Sequence, residues 1–186
     1  MGKLIFITGG ARSGKSAFAE DILRDEHDVL YIATATPFDE EMKERIRLHR
    51  LRRNPSWITI EAYKELGSRI NEYQGKKKFI LLDCITVMIS NLMFADTDTD
   101  WENAGTKKML EMEKFILDEI RGFISSACDF AVKTVIVSNE IGMGIVPATS
   151  LSRCFRDIAG KVNQIIAEES DEVYLLVSGI PLRLKG

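Results

Sequence analysis

The amino-acid sequence predicts an α/β fold of the P-loop NTPase type, with a mostly parallel sheet and helices on both faces. Short apolar runs rich in β-branched residues alternate with longer segments of helical periodicity. The runs are continuous rather than alternately apolar and polar, which is typical of strands covered on both faces. The first run leads into a glycine-rich segment that fits G-x-x-x-x-G-K-[ST], the phosphate-binding pattern of P-loop proteins.

The predicted strands are the apolar runs, and the predicted helices are the segments between them. No internal repeat, linker or low-complexity segment interrupts this order, so residues 1–186 are expected to form one nucleotide-binding domain. Strands are expected at residues 4–7, 29–33, 57–60, 79–83, 134–138 and 173–177. Helices are expected at residues 17–23, 39–53, 63–73 and 101–126, and from residue 149 or 150 onward.

Composition limits the class of protein. The chain has 186 residues, 45% of them hydrophobic and 28% charged, as in ordinary globular proteins. The net charge of −3 gives no indication of a nucleic-acid partner. Three scattered cysteines without a C-x-x-C pair argue for a reducing compartment and against disulfides or a zinc site. The first strand begins within three residues and no apolar stretch reaches about 18 residues, so we expect a cytoplasmic protein with no membrane span.

The glycine-rich segment lies between the first strand and the first helix. Its backbone N–H groups are expected to surround phosphate at the positive end of the helix dipole. Lys15 would reach the β- and γ-phosphates, and the Ser16 hydroxyl would ligate Mg²⁺. The alternative, a glycine-rich turn with no ligand, is disfavoured by the strand and helix on either side. The candidate phosphate-binding residues are Gly9, Gly10, Ala11, Arg12, Ser13, Gly14, Lys15 and Ser16.

The run at residues 79–83 ends in a carboxylate, Asp83. We expect this strand to lie beside the first one, in the Walker-B arrangement that holds Mg²⁺ or its water shell. The alternative is that Asp83 caps the following helix, because aspartate is a common N-cap residue. Ser16 and Asp83 are therefore the candidate metal ligands.

Residues 43–53 form an unusually basic segment around a single histidine, His49. Six of these eleven residues are lysine or arginine in a chain that is acidic overall. Helical spacing puts Met42, Ile46, His49 and Arg53 on one face, so His49 is expected to lie toward the body of the protein as a packing histidine or as a functional group. Arginines stabilise triphosphate and departing pyrophosphate, and a neutral imidazole among them suits a nucleophile that forms a phosphoramidate. A nucleic-acid patch has similar composition, but interleaved aromatic residues are absent.

Six blocks of the sequence resemble the bifunctional adenosylcobinamide kinase/adenosylcobinamide-phosphate guanylyltransferase family. Two of them, N-E-x-G-x-G-I-V-P and F-R-D-x-x-G-x-x-N-Q, are far more specific than the P-loop pattern. The blocks follow one another along nearly the whole chain. They are residues 8–16, 31–34, 45–49, 138–147, 155–164 and 177–181.

The resemblance implies an enzyme of cobalamin assembly and salvage. ATP or GTP phosphorylates the aminopropanol hydroxyl of adenosylcobinamide; GTP then guanylylates an enzyme histidine with loss of pyrophosphate, and GMP passes to the cobinamide phosphate to give adenosylcobinamide-GDP. The implied cofactor is Mg²⁺, and the implied assembly is a homotrimer. The implied nucleotide contacts are residues 9–16, Thr34, Ala35, Thr36, Arg50, Leu51, Arg52, Arg53, Glu61 and Asp83.

The resemblance places the guanylylated histidine at His49. The family often has two adjacent histidines, whereas this chain has Leu48 in the first position. Apart from His27, which follows the first helix, His49 is therefore the sole candidate. Glu140, just past a strand end, is expected at the cleft as a base, an orienting group or a structural hydrogen-bonding residue.

Two other classes of function stay open on the residues alone. A P-loop small-molecule kinase without nucleotidyl transfer would form no covalent GMP adduct and would have no use for His49. A non-catalytic nucleotide-binding switch would bind nucleotide without turning over cobinamide.

Overall fold

The computed structural model of the chain describes residues 2–37, 40–95, 99, 101 and 104–186. The described helices are α1 (Lys15–Ile22), α2 (Glu40–Arg52), α3 (Leu66–Asn71), α4 (Ile85–Phe94), α5 (Thr106–Phe130) and α6 (Ser150–Glu169). The described strands are β1 (Lys3–Gly9), β2 (Val29–Ala33), β3 (Ile58–Glu61), β4 (Phe79–Asp83), β5 (Lys133–Val137), β6 (Glu172–Val177) and β7 (Ile180–Lys185).

The strands form a seven-stranded sheet in the order β3-β2-β4-β5-β1-β6-β7. Neighbouring strands are parallel except for β6 and β7, which pair antiparallel at one edge. In a parallel sheet of this kind the carboxyl ends of the strands lie at one edge, where ligands of open α/β sheets bind.

Two apolar cores cover the two faces of the sheet. Leu4 and Phe6 of β1 belong to the core that includes α3, α4, α5 and α6. Ile5 and Ile7 belong to the second core, which includes α1. Because alternate residues of one strand are buried on opposite faces, the continuous apolar runs in the sequence are explained. The predicted α/β fold with helices on both faces is confirmed.

Helix α4 does not appear among the sequence predictions. Ile85, Met88, Ile89, Leu92 and Met93 are all buried between the sheet and the outer helices. A helix that is buried on most sides has no polar face, so its sequence lacks the 3.6-residue periodicity by which amphipathic helices are recognised.

Strand β7 is also absent from the sequence predictions. Each of its residues is exposed, so no buried apolar run indicates it. Pro181 lies near its start, and proline is confined to edge strands because it cannot donate a ladder hydrogen bond. The position of β7 at the edge of the sheet agrees with this rule.

The observed boundaries of the other elements differ from the predicted ones by a few residues. The helix predicted at 101–126 is α5, Thr106–Phe130, and residues 102 and 103 lie outside the described part of the chain. The helix predicted at 39–53 is α2, Glu40–Arg52. Residue 39 also lies outside the described part of the chain. None of the described helices is long and apolar enough to cross a membrane.

Candidate nucleotide site

The glycine-rich segment forms the turn between β1 and α1. β1 ends at Gly9 and α1 begins at Lys15, so the helix N-terminus lies at the carboxyl end of the strand. Arg12 (φ 56°) and Gly14 (φ 94°) take left-handed conformations, which direct neighbouring N–H groups to one side of the turn. This backbone geometry binds phosphate in other proteins.

Lys15 is buried beneath this turn, with 7% of its surface exposed. Its Nζ donates a hydrogen bond to the carbonyl oxygen of Gly10 at 2.6 Å and lies 3.5 Å from the Ser13 hydroxyl. Burial lowers the pKa of Lys15, and the nearby Cys84 and Asp83 oppose that shift. The ammonium group therefore lies at the centre of the turn, where the lysine of a P-loop contacts phosphate.

The turn between β6 and β7 packs against the P-loop. The Gly179 N–H donates to the Ser13 carbonyl at 2.9 Å. A Cβ on Gly14 would lie 3.3 Å from the Cα of Gly179, and a Cβ on Gly9 would lie 2.4 Å from the carbonyl oxygen of Leu176. Close backbone approach therefore requires glycine at both positions.

Asp83 lies at the carboxyl end of β4, but β4 is not beside β1, and that expectation was wrong. β5 lies between them, with Val137 paired to Asp83 on one side and to Ile7 on the other. Strand order depends on how the helical connections cross the sheet, which the local sequence does not specify. Asp83 is nevertheless close enough for its negative charge to act on Lys15, where it opposes the lowering of the pKa that burial causes.

Asp83 does not occupy the N-cap position of the next helix, which is held by Cys84. Its carboxylate instead accepts a hydrogen bond from the Tyr31 hydroxyl at 2.9 Å. Asp83 and Ser16 are half-buried and offer oxygen donors of the kind that Mg²⁺ prefers. The described residues contain no cluster of three His, Cys, Asp or Glu for a metal. Mg²⁺ does not need one, because one or two protein oxygens usually hold it together with phosphates and water.

Residues 34–36, which follow β2, form hydrogen bonds with the end of β4 and with α4. The Thr34 hydroxyl donates to the Cys84 carbonyl at 2.7 Å and accepts from the Cys84 N–H at 2.9 Å. Asn91 donates to the Thr34 carbonyl at 2.6 Å and accepts from the Thr36 hydroxyl at 3.1 Å. The single donor of the Thr34 hydroxyl and that of the Thr36 hydroxyl are therefore both used within the protein, and Thr34, Ala35 and Thr36 stay candidate nucleotide contacts.

His49 is exposed on α2, so the expectation that it faces the body of the protein was wrong. Leu48 and Leu51, its apolar neighbours, are exposed at 45% and 70%. The helix contributes no residue to either apolar core among the residues described. It lies outside the packed layers, and helical spacing therefore does not direct His49 inward. A packing role for this histidine is excluded by its exposure.

The arginines of α2 have different partners. Arg50 forms an ion pair with Glu61 of β3, with Nε 3.0 Å from Oε1. The guanidinium of Arg53 lies over the Tyr31 ring, 4.1 Å from its centroid. Arg47 pairs with Glu44 of the same helix. The side chains of residues 45 and 52 lie outside the described part of the chain.

A cleft of about 610 Å³ lies between the end of α2 and β3. It brings together four of the predicted nucleotide contacts, Arg50, Leu51, Arg53 and Glu61. No described contact joins His49 to the P-loop, so the predicted site residues form two groups along the same edge of the sheet. The cleft is also lined by residues that the sequence analysis did not select, namely Asn54, Pro55, Trp57 and Thr59.

A family model described as cobinamide kinase / cobinamide phosphate guanyltransferase matches residues 5–184. The chain belongs to this family. The bifunctional adenosylcobalamin biosynthesis protein CobU of Salmonella typhimurium is 45% identical over 186 residues, which cover 98% of this chain and 99% of that protein. CobU of Escherichia coli is 44% identical with the same coverage. The bifunctional adenosylcobalamin biosynthesis protein CobP of Pseudomonas aeruginosa is 38% identical over 181 residues, 97% of this chain and 96% of that protein.

A solved structure agrees with the fold. An ATPase from the type III secretion system of pathogenic bacteria superposes with a TM-score of 0.60 over 95% of this chain and 51% of its own length. At 10% identity, this likeness shows a shared fold alone. The family membership confirms the predicted enzyme class, a bifunctional kinase and guanyltransferase of cobalamin biosynthesis.

The two most specific blocks of the family resemblance contact each other. Asn163 of α6 donates to the Asn139 carbonyl at 3.2 Å, and Asn139 donates to the Thr86 hydroxyl at 2.5 Å. The next residue, Glu140, donates its N–H to the Gly9 carbonyl at 3.0 Å. These polar residues join β5 and α6 to the P-loop and to the start of α4, which the sequence blocks alone did not indicate.

Proposed function

We propose that this chain carries out both reactions of its family through the residues described above. It would phosphorylate adenosylcobinamide with ATP or GTP and then transfer GMP from GTP, through guanylyl-His49, to give adenosylcobinamide-GDP. The single observation that carries the proposal is the family match over residues 5–184. A P-loop with a buried lysine and an exposed histidine among arginines support it.

In the kinase step, the residues between Gly9 and Ser16 would bind the phosphates of the donor nucleotide. Backbone N–H groups of the turn and Lys15 would stabilise the negative charge on the transferred group. Mg²⁺ held by Ser16 and Asp83, when bound with the nucleotide, would supply positive charge beside the β- and γ-phosphates. The substrate hydroxyl oxygen would form the new bond to the γ-phosphorus as the bond to the β–γ bridging oxygen breaks.

In the guanylyl-transfer step, a ring nitrogen of His49 would attack the α-phosphorus of GTP. The nitrogen–phosphorus bond would form as the bond to the α–β bridging oxygen breaks, and pyrophosphate would leave. Arginines of α2 and its end, among them Arg50 and Arg53, would stabilise the charge of the departing pyrophosphate. A phosphate oxygen of the cobinamide phosphate would then attack the same phosphorus and release the histidine.

The proposal includes a homo-oligomeric assembly, with the trimer as the state implied by the family resemblance. Three side chains of β7 support it, because they expose apolar surface at the sheet edge: Ile180, Leu182 and Leu184, at 56–70% exposure. Light scattering coupled to size-exclusion chromatography tests this part. A particle of monomer mass at working concentrations would contradict it.

The test of the covalent step is incubation with α-labelled GTP and Mg²⁺, followed by a denaturing gel. We expect a labelled protein that loses its label in acid and keeps it in base, since a phosphoramidate is labile in acid. His49→Ala is expected to abolish the label and the transferase reaction while the kinase reaction largely survives. The matched control is His27→Ala, which changes the other histidine of the chain and is expected to label like the wild type.

Each other outcome contradicts a stated part of the proposal. An acid-stable adduct, or an undiminished adduct in His49→Ala, would exclude guanylyl-His49. The absence of any adduct on the wild-type protein would leave a P-loop kinase without nucleotidyl transfer.

A further inference from the structure

Tyr31 of β2 contacts both groups of predicted site residues. It is 1% exposed. Its hydroxyl donates to Oδ2 of Asp83 at 2.9 Å, and its ring lies under the guanidinium of Arg53 at 4.1 Å. Asp83 belongs to the P-loop group, whereas Arg53 follows directly on α2.

The Tyr31 hydroxyl acts as a hydrogen-bond donor to Asp83, because an ionised carboxylate can only accept. A donor fixed on one carboxylate oxygen restricts the rotation of the Asp83 side chain and determines which oxygen is left for another ligand. Outer contacts of this kind orient metal ligands in many proteins.

The ring of Tyr31 contacts the guanidinium group of Arg53. The Nε and Nη1 atoms of Arg53 are buried and have no hydrogen-bond partner among the described residues. A guanidinium over the face of a buried tyrosine is stabilised by the ring quadrupole. The backbone N–H of Arg53 in turn donates to the His49 carbonyl at 3.3 Å. The ring therefore fixes the end of the helical turn that carries His49.

We propose that Tyr31 is a positioning residue shared by the two reactions. Its hydroxyl orients Asp83 toward the metal–nucleotide complex, and its ring positions Arg53 and the turn of His49. The inference rests on the proposed function for the roles of Asp83 and His49. The two parts of the side chain contact different residues, so their effects can be separated by substitution.

Tyr31→Phe removes the hydroxyl and keeps the ring. Binding of Mn²⁺ in the presence of GDP, followed by electron paramagnetic resonance, is expected to weaken about 10-fold. Binding of GDP without metal should stay within about 2-fold, because the P-loop is untouched. The yield of the acid-labile GMP adduct at saturating Mg²⁺ should also stay at the wild-type level, because Arg53 keeps its ring partner.

The matched control is Tyr174→Phe. Tyr174 also donates to a carboxylate, Glu172, at 2.8 Å, but Glu172 lies at the opposite end of the sheet, at the start of β6. Removing this hydroxyl should leave Mn²⁺ affinity and adduct yield unchanged. A general effect of losing a tyrosine–carboxylate hydrogen bond would appear in both variants.

Tyr31→Leu removes the ring and keeps the Arg53 guanidinium, and its reference is Tyr31→Phe because both variants lack the hydroxyl. We expect a fall of about 10-fold in the rate of adduct formation relative to Tyr31→Phe, with Mn²⁺ affinity within about 2-fold of that variant. An unchanged rate, or a further loss of Mn²⁺ affinity, would overturn the assignment of the ring; if Tyr31→Leu fails to fold, an unchanged rate in Arg53→Met would overturn it. Equal losses of metal-dependent and metal-free binding in Tyr31→Phe, or no loss of either, would overturn the assignment of the hydroxyl. A wild-type protein without an adduct would refute guanylyl-His49 instead, while the Mn²⁺ measurement would still decide the role of the hydroxyl.

Discussion

Replacing Gly9 with alanine would place a methyl carbon closer to a backbone oxygen than their van der Waals contact distance. The ideal Cβ position at Gly9 lies 2.4 Å from the carbonyl oxygen of Leu176, roughly 0.8 Å closer than an unstrained carbon–oxygen contact. The obstacle is backbone of β6, which cannot move aside as a flexible side chain would. Gly9 also has φ 150°, a conformation that L-residues rarely adopt.

The two costs give the size of the expected effect. Overpacking of a close contact costs about 1–3 kcal/mol, and strained backbone adds about 1–3 kcal/mol. With about 4 kcal/mol as a central value, a chain of this length should lose roughly 8–16 °C in Tm. Thermal unfolding followed by circular dichroism measures this loss. Nucleotide affinity should fall as well, because the P-loop is displaced from the β6–β7 turn.

The neighbouring glycine is the matched control. A Cβ on Gly10 would meet no described atom within 4 Å, so Gly10→Ala should change Tm by no more than about 2 °C. If Gly9→Ala unfolds at the same temperature as Gly10→Ala, the close approach of β6 to the P-loop does not constrain the loop, and the reasoning is refuted.

Three further predictions concern single residues of the site. Lys15→Ala should lower the kinase and guanylyltransferase rates together by about 10²–10³-fold, measured in separate assays; one reaction at full rate would reveal a second phosphate site. Asp83→Asn should weaken calorimetric binding of Mg²⁺–GTP much more than binding of metal-free GTP, and equal effects would place the metal elsewhere. Burial, with the charge of Asp83, raises the pKa of Cys84 to about 11, so about 0.1% is thiolate at pH 8. Iodoacetamide should therefore alkylate Cys84 slowly at pH 8 and about tenfold faster per pH unit up to pH 10, by mass spectrometry; a rate independent of pH would contradict this.

The sequence predicted the elements whose burial leaves a regular pattern. Continuous apolar runs identified β1, β2, β4, β5 and β6, because the first four of these strands are buried on both faces and β6 is partly buried. The same reasoning could not identify α4, which has no polar face, or β7, which has no buried one. It also could not place β5 between β1 and β4, since the order of parallel strands follows from the packing of the connecting helices.

The candidate site divides in the same way. The P-loop could be predicted because its phosphate-binding geometry is encoded in consecutive residues, with glycines at the positions that require them. The exposure of His49 could not be predicted from the sequence, because it depends on whether α2 packs against the sheet. The contacts of Tyr31 could not be predicted either. They arise from the register of β2 against β4, which sets Ala33 opposite Asp83, and from the path of the chain after α2.

The contact between the β6–β7 turn and the P-loop has a consequence for the order in which the protein is made. Residues 9–16 are synthesised about 160 residues before the backbone that fixes their conformation, at Leu176 and Gly179. Strands β6 and β7 must add to the edge of the sheet before the turn between them can pack against the P-loop. Such contacts between distant segments form late in folding, because a long chain must close before they stabilise anything. Nucleotide affinity is therefore expected to depend on the completed sheet.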